Sequence, residues 1–188
     1  MRVTGGLLCG RKIIARKGLR TRPTPERVRQ ALFNILGEEV QFHPFADLYA
    51  GTGAVGIEAL SRGAPSAVFI ESEGAAVTVL LQNLRSLDLL SQSRVLKEDV
   101  LHFLAKHKSL QNAILFADPP FRNSYEDLFK ALDEHQDGHL LVVQHHRTVD
   151  LPAKLLPSWR GCRESRYGDN VLSFFSISSP LRGEARWG

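Results

Sequence analysis

The stretch DLYAGTGAVGIEAL, residues 47–60, decides the fold. The apolar run FADLYA ends against glycines at 51, 53 and 56, and AVGIEALSR then reads as a helix closed by Gly63. A Gly-x-Gly-x-x-Gly turn between a strand and a helix is a nucleotide-binding signature. Glycine lets the backbone turn sharply and lets a ligand approach closely. The helix start offers free N–H groups and a positive dipole end. Glu71 stands 20 residues beyond Gly51, at the end of the next apolar run. A carboxylate there can hydrogen-bond both hydroxyls of a ribose.

The pattern continues outward from this turn. SAVFIE, RVLKED, AILFAD and HLLVVQH read as further strands. The helices GAAVTVLLQNLRSL, VLHFLAKH and SYEDLFKALDEH separate them. Repeated strand–helix units predict a mostly parallel sheet with helices on both faces. At the end, CRESRYGDNVLSFFSI reads as a hairpin with its turn at Gly168-Asp169-Asn170, adding an antiparallel strand. Upstream, RVTGGLLCGRKIIARKG reads as a small β-hairpin or a pair of short strands. Between the two lies TRPTPERVRQALFNILGEE. There Thr24 can cap, Pro25 suits the first helical position, and Val28, Ala31, Leu32, Ile35 and Leu36 form one apolar face, with Arg27 and Arg29 pointing elsewhere.

Charge is unevenly spread. Residues 1–29 hold nine basic residues and one acid, whereas the rest holds fifteen basic and nineteen acidic residues. A basic arm on a mildly acidic body fits a polyanion partner, most often nucleic acid. No apolar run approaches the ~18 residues of a membrane span, and the start carries no clear signal-peptide pattern. Cys9 and Cys162 lack metal spacing and make no disulfide framework, which points to the cytosol. The expected organisation is a basic hairpin arm over 1–24, a catalytic domain over 25–178 and a flexible tail over 179–188. A monomer is compatible with that plan.

Two cofactors compete for the glycine turn. The pyrophosphate of NAD would use the glycines and the helix dipole. S-adenosylmethionine shares the adenosine but carries a sulfonium and an amino acid. Asp47 lies inside the site, before the glycines, where an acid suits a cation and suits a pyrophosphate poorly. Asp99 ends the third strand, well placed for an adenine amino group. Nothing further indicates hydride chemistry, so S-adenosylmethionine is the better fit.

The fourth strand ends in Asp118-Pro119-Pro120-Phe121. Proline cannot donate to a strand ladder, and it pushes the preceding residue toward extended geometry. The result is a stiff bend carrying an acid and a ring, beyond the carboxyl ends of the strands where ligands of such sheets bind. An exocyclic amine of a nucleobase is a poor nucleophile because its lone pair is delocalised. Hydrogen bonds from the amine to the Asp118 carboxylate and the Pro119 carbonyl would aim the lone pair and stabilise developing positive charge. Phe121 can stack on a flipped base.

These residues resemble class I S-adenosylmethionine-dependent methyltransferases, and those acting on planar amines carry Asn/Asp-Pro-Pro-aromatic. More closely, the chain resembles the bacterial 16S ribosomal RNA guanine-N2 methyltransferases. The matching pieces are GRKIIARKGLRTRPTPERVRQALFNIL, DLYAGTGAVGIEALSRGA, FIE, EDVLHFL, DPPF and YGDNVLSFF, from about residue 2 to 177. The resemblance implies a Rossmann-like α/β sheet with a small N-terminal extension. It implies that Asp47, Gly51, Gly53, Glu71 and Asp99 contact the cofactor and that Asp118 to Phe121 hold the guanine. It places Arg22, Pro23, Thr24 and Arg27 near the cofactor's methionine end or the RNA entry. Arg11 and Lys12, on the basic arm, join Arg22 and Arg27 as candidate RNA contacts. The implied partner is ribosomal RNA, as a small subunit or an assembly intermediate. Ser72 and Gln144 depart from the family pattern, which has glutamate where Gln144 stands, and no role is assigned to Gln144, His145 or His146. Cys162 reads as strand filler. Other planar amines (adenine N6, cytosine N4, a protein glutamine) remain open on the clamp alone, as do an NAD-dependent oxidoreductase and a non-catalytic RNA-binding module.

Overall fold

A computed structural model describes residues 1–15, 24–107, 110–120 and 125–177. Arg22, Pro23, Phe121 and the tail 179–188 lie outside the described residues.

Seven strands form one sheet in the order β3-β2-β1-β4-β5-β7-β6. They are β1 (Phe45–Asp47), β2 (Ala67–Ile70), β3 (Ser93–Leu96), β4 (Ile114–Ala117), β5 (Leu140–His146), β6 (Trp159–Tyr167) and β7 (Asn170–Ile177). The first five are parallel. β7 runs antiparallel to β5, and β6 antiparallel to β7. The hairpin expected at 168–170 is present, closed by Gly168 at φ 66°. It contributes two strands, of which β7 alone runs against the direction of the other six. The chain winds outward from β1 to β3, then returns to β4 on the other side of β1. That reversal between β1 and β4 is the switch point at which open α/β sheets bind ligands.

Helices α1 (Glu26–Leu36), α2 (Ala54–Ser61), α3 (Gly74–Ser86), α4 (Val100–Lys106) and α5 (Tyr125–Asp133) cover the sheet. β1, β4 and β5 are buried on both faces, which is why they read as continuous apolar runs. One face packs Phe45, Phe69, Phe116, Val142 and Leu172 against α1, α2 and α3. The other packs Ala46, Leu115, Leu141 and Phe175 against α4 and α5.

The start of the chain is hairpin-like. Arg2 and Lys12 form an antiparallel bridge, and Val3 and Ile13 enter the α1–α3 side of the core. Asn83 on α3 clasps this segment. Its Oδ1 accepts from Ile14 N at 2.8 Å, and its Nδ2 donates to Ile14 O at 3.1 Å and to Thr52 O at 2.9 Å.

Two local expectations change. Pro25 is the N-cap of α1 and no side chain caps it, so Thr24 is free for another partner. Arg29, expected to point away from the apolar face, is fully buried. Its Nε lies 3.2 Å from Glu58 Oε2, and it also donates to the Arg2 carbonyl. Glu58 is fully buried as well. It accepts from Thr4 N (2.8 Å), Thr4 Oγ1 (2.6 Å) and Arg62 Nε (3.0 Å). One carboxylate thereby ties the N-terminal segment, α1 and α2 together.

Candidate functional site

Four acids gather at the carboxyl edge of the parallel strands. Asp47 is the last residue of β1, Glu71 follows β2, and Asp118 follows β4. Asp99 follows β3 and caps α4, its Oδ1 accepting from Leu101 N at 2.8 Å and His102 N at 3.2 Å. Charge on a helix cap is favourable in itself, so Asp99 has structural work besides any ligand.

The glycine turn is held by two of these acids. Glu71 Oε2 accepts from Gly51 N at 2.8 Å, and its Oε1 accepts from Glu73 N at 2.7 Å. Asp47 Oδ2 accepts from Gly56 N at 2.9 Å, in the first turn of α2. The glycines serve different ends. Gly51 has φ 54°, and a Cβ there would face open space, leaving room for a ligand. At Gly53 a Cβ would strike Leu80, and at Gly56 the ring of Phe69. Those two permit close packing of helices and sheet.

Asp47 and Asp118 are electrostatically unusual. Burial pushes Asp47 up to about 7, against the lowering effect of the Gly56 N–H, and the neighbouring Asp118 and Glu71 carboxylates add to the rise. Burial also pushes Asp118 up to about 7, against the lowering effect of a hydrogen bond from Thr24 Oγ1 at 3.3 Å. Thr24 is therefore placed at the Asp118 carboxylate. Acids raised by burial, and Asp47 also by its acidic neighbours, form a site that gains from an added cation. The donor set fits S-adenosylmethionine: carboxylates for a sulfonium and an ammonium, an open Gly51, and a ribose-height acid at Glu71.

Two residues near Asp118, Tyr125 and Gln144, were given no role from sequence. The Tyr125 hydroxyl is pushed up to about 12, first by burial and then by the Asp118 charge and by Tyr49. It opens α5, five residues beyond Pro120, so an aromatic at the start of the following helix was the available signal. Gln144 sits on β5 one step beyond the Ala117–Val143 pair, level with Asp118. Residues two apart on a strand share a face, so Gln144 and Asp118 lie on the face of Val142 and Phe116. Gln144 is only 4% exposed, and its Oε1 has no hydrogen-bond partner among the described residues. Buried polar atoms of this kind are uncommon, and a bound ligand is one way to satisfy them.

His145 points to the opposite face. Its Nε2 accepts from Ser173 Oγ at 2.9 Å and its Nδ1 donates to the His146 carbonyl at 3.1 Å, while burial lowers its pKa. It lines a groove of about 580 Å³ with Arg147, Arg163 and Arg166, to which none of the four strand-end acids contributes. Arg11, Lys12 and Arg27 are exposed, and Arg11 also donates to the Ser86 carbonyl at 3.1 Å. Cys162 stands in β6, its thiol pushed up by partial burial, which does not favour a nucleophile. No helix of the described residues is long and apolar enough to cross a membrane.

A mostly parallel sheet with an antiparallel β7, acids at successive strand ends and a glycine turn at the switch point define a Rossmann-like methyltransferase. A family described as Conserved hypothetical protein 95 matches residues 1–176. Ribosomal RNA small subunit methyltransferase D of Escherichia coli (strain K12) is 38% identical over 189 residues, covering 98% of this chain and 94% of that protein. The chain belongs to this family of bacterial small-subunit ribosomal RNA methyltransferases. Among solved structures, a hypothetical protein of Thermus thermophilus superposes with a TM-score of 0.80 at 30% identity, covering 94% of this chain and 99% of that one. An RNA methyltransferase from Salinibacter ruber, in complex with S-adenosyl-L-homocysteine, shares the fold: TM-score 0.62, 16% identity, 87% of this chain and 98% of that one.

Proposed function

We propose that the protein methylates the exocyclic N2 amine of a guanine in 16S ribosomal RNA, using S-adenosylmethionine. The observation that carries this reading is Asp118. It is a largely buried acid fixed by two prolines at the end of β4, beside the glycine turn of β1. The naming of the Escherichia coli relative as a small-subunit ribosomal RNA methyltransferase supports the substrate class.

Asp47, Gly51, Gly53, Glu71 and Asp99 hold the cofactor. Bound S-adenosylmethionine supplies an electrophilic methyl group. Asp118 accepts a hydrogen bond from the guanine amine, and the Pro119 carbonyl accepts another. Both are fixed in advance, so little reorganisation is needed as positive charge develops on nitrogen. The new N–C bond forms as the S–C bond breaks. The surplus proton leaves the nitrogen, and a carboxylate near 7 is suited to take it. Pro120 stiffens the bend and Phe121 stacks on the base. Thr24 serves the site through Asp118, holding the carboxylate in place and toward its ionised form.

Gln144 favours guanine over the other planar amines. In guanine the amine is flanked by the N1–H donor, whereas in adenine and cytosine the flanking ring nitrogen on the Watson–Crick edge is an acceptor. The buried Gln144 Oε1, level with Asp118, offers an acceptor to that N1–H. Arg11, Lys12, Arg22 and Arg27 contact RNA phosphates, so affinity falls steeply with salt. The enzyme works as a cytoplasmic monomer on a small subunit or an assembly intermediate.

The deciding experiment transfers a tritiated methyl group from S-adenosylmethionine to small subunits from cells lacking this protein. The RNA is then digested to nucleosides, which are identified by mass. Label in N2-methylguanosine is the expected result. Label in another nucleoside keeps the clamp and overturns the guanine assignment.

A further inference from the structure

Glu39, His43 and His139 meet at the amino-terminal edge of the sheet, one strand length from the strand-end acids. Glu39 is in a 3₁₀ turn (Gly37–Gln41) that follows α1, His43 precedes β1, and His139 precedes β5. Each offers one ligand atom, and the three atoms lie within 4.8 Å of one another. Glu39 Oε2 stands 3.3 Å from His43 Nε2 and 3.3 Å from His139 Nε2.

Those separations match the edge of a coordination tetrahedron. Zinc takes imidazole nitrogen and carboxylate oxygen at roughly 2.0–2.2 Å, which puts neighbouring ligand atoms about 3.3 Å apart. The second layer also fits. His43 Nδ1 donates to the Asn112 carbonyl at 2.9 Å. That bond fixes the tautomer and leaves the Nε2 lone pair facing Glu39, the arrangement by which proteins orient a ligating histidine. Asn112 supplies the carbonyl from a left-handed conformation, φ 55°, just before β4. Three adjacent strand starts, β1, β4 and β5, thus converge on one point. Two imidazoles and one carboxylate suit several first-row divalent ions, and the spacing of a tetrahedron edge favours zinc among them.

We propose that Glu39, His43 and His139 form a zinc site, with water as the fourth ligand. Its role is structural: it fastens the end of α1 to the starts of β1 and β5. The imidazoles are stacked, with centroids 3.6 Å apart and planes 9° from parallel. An ion midway would lie roughly 1.8 Å out of each ring plane, so binding turns a ring. His139 is the ring that turns. Its side chain is 29% exposed, against 10% for His43, and its outer torsion is broad.

The test uses the full chain, stripped of metal by dialysis against a chelator and then titrated with zinc in competition with a chromogenic indicator. One equivalent should bind at pH 7.5 with submicromolar affinity and raise the melting temperature. Affinity should fall at pH 5.5, because the ligands must be deprotonated. His139→Ala and Glu39→Gln, both partly exposed and tolerant of substitution, should each weaken binding at least 10-fold and remove the thermal shift. His102→Ala, exposed on α4, should change neither. Uptake by none of these proteins would overturn the site, as would full affinity in His139→Ala or an equal loss in His102→Ala. Methyl transfer plays no part in the readout, so the outcome is independent of the proposed reaction.

Discussion

Two groups of buried carboxylates sit on the same face of this sheet, and they are treated in opposite ways. Glu58 is fully enclosed and fully partnered: Arg29, Arg62 and both donors of Thr4 converge on it. Asp47 is also withdrawn from water, and Asp118 partly so. They receive one backbone N–H and one hydroxyl, with further acids as neighbours, and both rise to about 7. Burying a charge is costly unless it is paired. At Glu58 the chain supplies the cations itself. At the strand ends it leaves them to be supplied, which suits a site for a cationic ligand and a developing positive charge.

The sharpest way to break this comparison is to remove one acid from each group. Asp118→Ala should cut methyl transfer by about 10³-fold, the size usual for a preorganised electrostatic contact. Affinity for S-adenosylhomocysteine, read by calorimetry, should stay within about 3-fold. Near-normal turnover in this variant would refute the clamp. Glu58→Gln should do the reverse. It strands the buried Arg29 and should cost about 3 kcal/mol of stability by urea unfolding, while the folded fraction keeps its turnover.

A smaller effect concerns stability. An acid with a raised pKa in the folded state holds its proton up to about pH 7, whereas the unfolded chain releases it near 4. The folded state binds more protons in that window, so this contribution to stability is present below pH 4 and is lost as pH rises through 7. Asp118→Asn removes the penalty. It should stabilise the ligand-free protein by about 1–2 kcal/mol at pH 8, after discounting for partial exposure, and by little at pH 4. A destabilised variant at pH 8 would show that Asp118 is not a strained acid. Smallest is the effect on ligand affinity. Ionising Asp47 and Asp118 favours a cation, so S-adenosylmethionine should bind roughly 10-fold tighter at pH 8 than at pH 6. Titrations at the two pH values check this, and a flat profile would separate the acids from the cofactor.

Much of this was legible in the chain because the signals are local. The buried runs of β1, β2 and β4 lead into Asp47, Glu71 and Asp118, so those acids stand out without a structure, whereas Asp99 lies three residues beyond the partly exposed β3 and caps α4. The glycine turn is equally local, though sequence could not show that Gly51 faces space while Gly53 and Gly56 serve packing. The burial of Arg29 was not legible because its partner, Glu58, is 29 residues away. Thr24 looked like a cap, yet its hydroxyl reaches Asp118, 94 residues on. Gln144 stood out only as an odd residue until strand register set it level with Asp118.

The sequence alone determined where the chain bends, where the acids stand and that cations crowd the first 29 residues. Backbone preference, apolar periodicity and composition decide those things over a few residues. Tertiary structure decided which charges meet. The Arg29–Glu58 pair, the Thr24–Asp118 bond and the Glu39–His43–His139 cluster all join segments that only packing brings together. Burial then sets what each group costs and what it can do, and burial belongs to the folded chain alone.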